Sequence, residues 1–162
     1  MKAGITGHQH LGTQETIQWV TESLESTIQK YKIQQGFTSL AIGADQLFAE
    51  LLLEQNIPYT AIIPSKGYET TFQQPEQLEN YRRLLQNAAE IVTLNFEKPE
   101  ERAFYEAGKQ VVDYSDIILA VWDGQPAKGL GGTGDLVAYA KSKKKRIVHI
   151  NPVTQEVSKI RN

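Results

Sequence analysis

Ile117-Ile118-Leu119-Ala120-Val121-Trp122-Asp123-Gly124, followed after a short loop by Gly129-Leu130-Gly131-Gly132-Thr133-Gly134-Asp135, is the stretch on which the fold turns. The first half is a short, continuous apolar run with no polar alternation, as expected of a strand covered on both faces. Asp123-Gly124 stops it, and the glycine-rich segment leads into a helix expected over 131–142. A buried strand passing through a glycine turn into a helix is the repeating unit of a parallel α/β sheet.

Working outward, the same unit recurs. Short runs rich in β-branched residues predict strands at 2–6, 39–43, 59–63, 90–94, 117–122 and 146–150. Ile17, Val20, Leu24 and Ile28 recur at helical spacing, so a helix is expected from Thr13 to about Gln34, stopped at Gly36. Ala44, Leu47, Phe48, Leu51 and Leu52 form a second apolar stripe, and further helices are expected over 78–88 and 100–114. The segment 65–77 has no period and reads as a loop or flexible lid whose Tyr68 and Phe72 could close over a ligand. The polar tail after Pro152 reads as loosely ordered. The expected architecture is a Rossmann-like three-layer α/β/α sandwich with a mostly parallel sheet, and residues 1–162 are expected to form one domain.

Composition narrows the chemistry. With no cysteine, disulfides, thiolate zinc sites and cysteine nucleophiles are excluded. No apolar run approaches the roughly 20 residues of a membrane span, and the first strand is too short for a signal-peptide core, so a cytoplasmic protein without membrane contact is expected. A formal net charge of −2 argues against a nucleic-acid footprint over the whole surface. The basic run Lys141, Lys143, Lys144, Lys145 and Arg146 reads as a solvated helix end facing the negative pole of the helix dipole. His10 and His149 are too scattered for a metal site, and neither metal nor cofactor is expected.

Three glycine-bearing segments lie just beyond expected strand ends, where open α/β sheets place their ligands. In Gly4-Ile5-Thr6-Gly7-His8, Gly7 lets the backbone approach a ligand while Thr6 and His8 offer hydrogen bonds; the same residues also suit a plain strand-to-helix turn. In Gly43-Ala44-Asp45, Asp45 suits the first turn of a helix by capping and dipole arguments, while Gly43 and Ala44 leave the helix amides open to an anion or a ribose. The third, Asp123 with Gly129, Gly131, Gly132, Thr133 and Gly134, is the candidate phosphate site, because so many glycines weaken a helix start unless its amides are needed. The spacing of Gly129, Gly131 and Gly134 matches G-x-G-x-x-G, but a loop separates it from its strand and it lies late in the chain, so it is not read as a dinucleotide fingerprint; a Walker A lysine is absent.

On these segments the chain resembles the SLOG superfamily, which includes LOG-type nucleotide phosphoribohydrolases, the DNA-processing protein DprA/Smf and SLOG sensor domains. The likeness rests on Gly4 to His8, Ser39 to Asp45, Ser115 to Gly124 and the turn Gly131-Gly132-Thr133-Gly134-Asp135. Gly132-Thr133 match the G-T of the family's P-G-G-x-G-T-x-x-E loop, and Asp135 falls in its acidic part. The resemblance implies that this loop holds a phosphate, that Asp135 sits near a ribose, and that the protein forms a homodimer or larger homo-oligomer. Where LOG-type enzymes carry a catalytic arginine, Tyr105-Glu106-Ala107-Gly108-Lys109 has none, and Arg102 lies about a turn earlier. The expected function is therefore binding of a nucleotide or nucleotide-derived ligand, NAD-derived molecules included. The alternative is hydrolysis of the N-glycosidic bond of a nucleoside monophosphate, with Asp135 or Asp45 as the carboxylate and Arg102 assisting. Single-stranded DNA binding is disfavoured by the near-neutral charge and the lack of an aromatic ladder.

Overall fold

The computed structural model describes residues 1–161. Its elements run β1 (Lys2–Gly7), α1 (Gln14–Lys30), β2 (Gln35–Thr38), α2 (Ala44–Glu54), β3 (Tyr59–Ile63), a 3-10 turn (Tyr68–Thr71), α3 (Pro75–Gln86), β4 (Glu90–Thr93), α4 (Glu101–Tyr114), β5 (Ile117–Val121), α5 (Thr133–Ser142), β6 (Arg146–Asn151) and β7 (Glu156–Ile160). The strands form one seven-stranded sheet in the order β4-β3-β2-β1-β5-β6-β7, parallel throughout except for β7. This is the three-layer, mostly parallel α/β/α arrangement the sequence pattern predicts.

Neighbouring residues of β2 show how the layers form. Gly36 packs against Leu52 and Phe48 of α2, whereas Phe37 clusters with Ala107 and Val111 of α4. Adjacent strand residues point to opposite faces. Helices α1, α2 and α3 therefore cover one face of the sheet, and α4 and α5 cover the other. The central strands are apolar and inaccessible, with every residue of β3 and β5 buried. Thr13 begins α1 by accepting the Thr16 amide at 3.2 Å, and α3 starts with Pro75 behind a Gln74–Gln77 capping box.

Three sequence expectations need correction. The second strand is residues 35–38 and not 39–43, because Leu40, fully buried, has φ +57° and bends the apolar run into the turn before α2. Helix α1 accordingly stops at Lys30, with Lys32 at φ +51°, and Gly36 is a strand residue under α2 instead of a helix stop. The segment 65–77 is more structured than a loop, since its 3-10 turn packs Tyr68 and Phe72 on Tyr81 of α3. The tail after Pro152 contains β7, antiparallel to β6 in the register Ile147↔Ile160 to Asn151↔Glu156. Among the described residues, no helix is long and apolar enough to cross a membrane.

Candidate functional site

The chain lays down β1 to β4 on one side of the sheet, then crosses through α4 to place β5, β6 and β7 on the other. The connections leaving β1 and β5 therefore diverge in opposite directions, which opens a crevice beyond the carboxyl ends of these two strands. A cleft of about 520 Å³ lies there. Its walls draw on residues within 5–9, 39–45, 64–72 and 128–136, at or beyond the ends of β1, β2, β3 and β5, and on α4.

Of the residues singled out in the sequence, Thr6, Gly7, His8, Asp45, Gly129, Gly131, Gly132 and Thr133 line this cleft together. Gly4, Gly43, Ala44, Asp123, Gly134, Asp135 and Arg102 are not among its lining residues. Gly4 lies under α4, facing Val111 and Ser115. Gly43 has φ +82°, and a Cβ there would collide with the carbonyls of His8 and Gln9. The Ala44 amide donates to the His8 carbonyl at 3.2 Å, so the loops after β1 and β2 are locked together under the cleft.

His8 joins the two strands at the crevice. The Asp123 amide donates to His8 Nε2 at 3.0 Å, and the Asp123 carboxylate lies 3.3 Å from the same nitrogen. The Gln125 amide, which donates to Asp123 Oδ1 at 2.9 Å, is the main influence holding that carboxyl below its ordinary range, and His8 adds to it. Trp122 is fixed by packing: its Nε1 donates to the Gln125 carbonyl at 2.8 Å and its ring lies against His149, whose Nε2 contacts the Trp122 carbonyl at 2.7 Å.

The glycine-rich turn is closely packed from behind. Any Cβ at Gly132 or Gly134 would crowd Ala127, one at Gly131 would crowd Tyr105, and one at Gly129 would crowd Glu101. Close packing thus accounts for much of the glycine content, a reason the sequence does not reveal. The Gly131 amide donates to Asp135 Oδ2 at 3.1 Å and the Gly132 amide to the Gly129 carbonyl at 3.3 Å. The amides of Thr133 and Gly134, in the first turn of α5, have no hydrogen-bond partner among the described residues. Lys128, on the cleft wall beside them, forms no ion pair with a described residue.

Asp45 sits at the other side of β1 and is over nine-tenths buried. Its Oδ2 accepts from the amides of Ser39 at 3.3 Å and Ala41 at 3.4 Å. Burial raises its pKa to about 7 against the pull of those amides. The adjoining wall is aromatic. Tyr68, Phe72 and Phe104 line the cleft and continue into Tyr81, with Phe72 stacked on Tyr81 at a centroid distance of 4.5 Å. Phe104, Glu101 and Lys128 were not signalled by the sequence, because nothing local marks residues of α4 or of an irregular loop as cleft-facing.

Of the residues considered for hydrolysis, Asp45 lines the cleft, whereas Asp135 and Arg102 stand apart from it. Asp135 is engaged with the Gly131 amide at the helix start, and Arg102 is exposed, its guanidinium 6.0 Å from the Phe96 ring. Among the described residues, no group of three or more His, Asp or Glu side chains is arranged to hold a metal ion.

No family model matches the chain, and no curated protein matches it in sequence. Solved structures do. DNA processing protein A from Streptococcus pneumoniae superimposes with a TM-score of 0.65 at 14% identity, over 91% of this chain and 49% of that one. DNA processing protein A from Helicobacter pylori, described with a single-stranded DNA binding mode, gives 0.64 at 18%, over 92% and 64%. The molybdenum cofactor binding protein of Rippkaea orientalis gives 0.59 at 16%, over 93% and 76%. The present chain thus spans about half to two-thirds of the DNA processing proteins. What all of them share with it is the fold, a Rossmann-like α/β arrangement.

Proposed function

From a SLOG-type fold whose crevice is open at the β1/β5 crossover, we propose that this protein binds a nucleotide or nucleotide-derived ligand, NAD-derived molecules included. One observation carries the reading: a single cleft joins the unpartnered amide of Thr133, with Lys128 on the same wall, to an aromatic wall of Tyr68, Phe72 and Phe104. Amides at a helix start with a nearby ammonium suit a phosphate, and an apolar, partly aromatic wall suits a planar heterocycle. The volume of about 520 Å³ fits one small ligand, within the usual range for such sites.

Two carboxyl groups on the same walls, Asp45 and Glu101, make a poor track for a continuous polyanion. That favours a small nucleotide over single-stranded DNA. Asp135 and Arg102, outside the lining, leave binding favoured over N-glycosidic hydrolysis. A thermal-shift screen against nucleoside mono- and diphosphates, ADP-ribose and cyclic nucleotides tests the proposal. A ligand at 100 times its dissociation constant is expected to add about 2.7 kcal/mol of stability. A flat response across the whole panel refutes it, and free base released from adenosine monophosphate would restore the hydrolase.

A further inference from the structure

The Tyr68 hydroxyl is unusually placed. Its residue is only 6% exposed, yet the hydroxyl makes no hydrogen bond with any described residue. Among the described residues the only fully occluded side-chain polar atom left without a partner is Gln55 Nε2, so the Tyr68 hydroxyl reaches open space, within the cleft that Tyr68 lines. Asp45 is its electrostatic neighbour. Burial first, then the charge of Asp45, push the Tyr68 phenol well above its ordinary pKa. Both main-chain hydrogen bonds to Asp45 end on Oδ2, so no amide takes up Oδ1.

The Thr38 hydroxyl also reaches the Asp45 carboxyl, but a carboxylate accepts about four donors, so a buried donor beside a buried acceptor with capacity left suits a group that both accepts and donates. A sugar hydroxyl is such a group: it can accept from Tyr68 and donate to Asp45. The Asp45 carboxyl, with no cation paired to it, does not favour a phosphate at this end. Asp45 follows β2 and Thr133 follows β5, with β1 between them. Two strand spacings put them roughly 10 Å apart, the reach of a sugar phosphate and beyond that of inorganic phosphate alone.

We infer that Tyr68 and Asp45 form a ribose-hydroxyl subsite that makes the cleft selective for ribonucleotides over 2′-deoxyribonucleotides. The inference rests on the nucleotide reading above and adds the sugar to it. A site built to bond a hydroxyl leaves its own polar groups unpaired when the hydroxyl is missing, and that loss sets the discrimination.

The test is calorimetric titration of the full chain with adenosine monophosphate and deoxyadenosine monophosphate, and with ribose 5-phosphate and 2-deoxyribose 5-phosphate. The ribo compound of each pair is expected to bind about tenfold or more tightly. Tyr68→Phe, which keeps the ring and removes a hydroxyl no protein group uses, is expected to abolish that preference while leaving the unliganded Tm unchanged. Asp45→Asn, which keeps an oxygen for the Ser39 and Ala41 amides, is expected to do the same to the preference. Equal affinity for ribo and deoxy ligands, or a Tyr68→Phe loss that falls equally on both, overturns the subsite while the nucleotide reading stands. No binding of any of the four probes overturns both.

Discussion

Replacing Asp45 by Asn is expected to stabilise the protein, by an amount that grows as pH rises from about 4 to about 7. In the unfolded chain an aspartate carboxyl loses its proton near pH 3.8, whereas in the folded protein burial raises Asp45 to about 7. Below the first value both states are protonated and the residue leaves folding unaffected. Between the two values the unfolded chain has shed the proton and the folded chain still holds it, so this contribution declines as pH rises. Above pH 7 the carboxylate is charged in both states and the full penalty persists. The interval, at about 1.4 kcal/mol per pH unit, corresponds to about 4 kcal/mol. Asparagine has the same shape, supplies an oxygen to the Ser39 and Ala41 amides, and carries no charge to desolvate. Urea denaturation of both proteins at intervals from pH 4 to pH 8 measures the effect. The curves are expected to coincide near pH 4 and to separate in favour of the variant up to pH 7, with unchanged m-values. A variant no more stable than the parent at pH 8, or a difference independent of pH, refutes the argument.

Three further substitutions probe other parts of the structure. Gly43→Ala is expected to lose about 2–4 kcal/mol in chemical denaturation, since the new methyl combines a positive φ with a collision against the His8 and Gln9 carbonyls; a loss below about 1 kcal/mol contradicts the interlocked loops. Gln55→Met is expected to gain about 1 kcal/mol, because it removes the occluded Nε2 that has no partner; equal or lower stability argues that the amide is satisfied in solution. Lys128→Ala is expected to leave the unliganded Tm unchanged and to weaken phosphate-bearing ligands by about tenfold at low salt, less at high salt; unaltered affinity removes this side chain from the anion end.

The layers of the fold were legible because the central strands advertise themselves. Runs such as Tyr59 to Ile63 and Ile117 to Val121 are apolar on both faces, and parallel sheets are the setting in which strands read that way. The second strand was misplaced for the same reason in reverse: Leu40-Ala41-Ile42 is as apolar as a strand but lies in a turn, while the true strand, Gln35-Gly36-Phe37-Thr38, is short and carries a glycine. Only the approach of Leu52 and Phe48 explains that glycine, and they come from a later helix. Strand β7 was missed because an edge strand facing solvent keeps polar residues such as Glu156, Ser158 and Lys159.

The cleft was half legible. Residues leaving β1, β2 and β5 could be named from the turn chemistry that follows a strand, and eight of the singled-out residues share the lining. The acidic residue of the glycine turn could not be assigned a direction from its spacing; it faces back onto Gly131. The aromatic wall was least readable, since Tyr68 acquires its position only by meeting Phe72, Tyr81 and Phe104, two of which lie on α3 and α4.

The antiparallel β7 has a consequence for the handling of the chain. It hydrogen-bonds along the whole outer margin of β6, from Ile147 to Asn151, and so acts as a selvage that keeps the weave from running. A version ending at Asn151 would present that margin bare, a row of idle peptide groups flanked by Ile147, Val148 and Ile150. Shortened versions should therefore pair with one another edge to edge and come out of solution, even though every wall of the cleft would still be encoded.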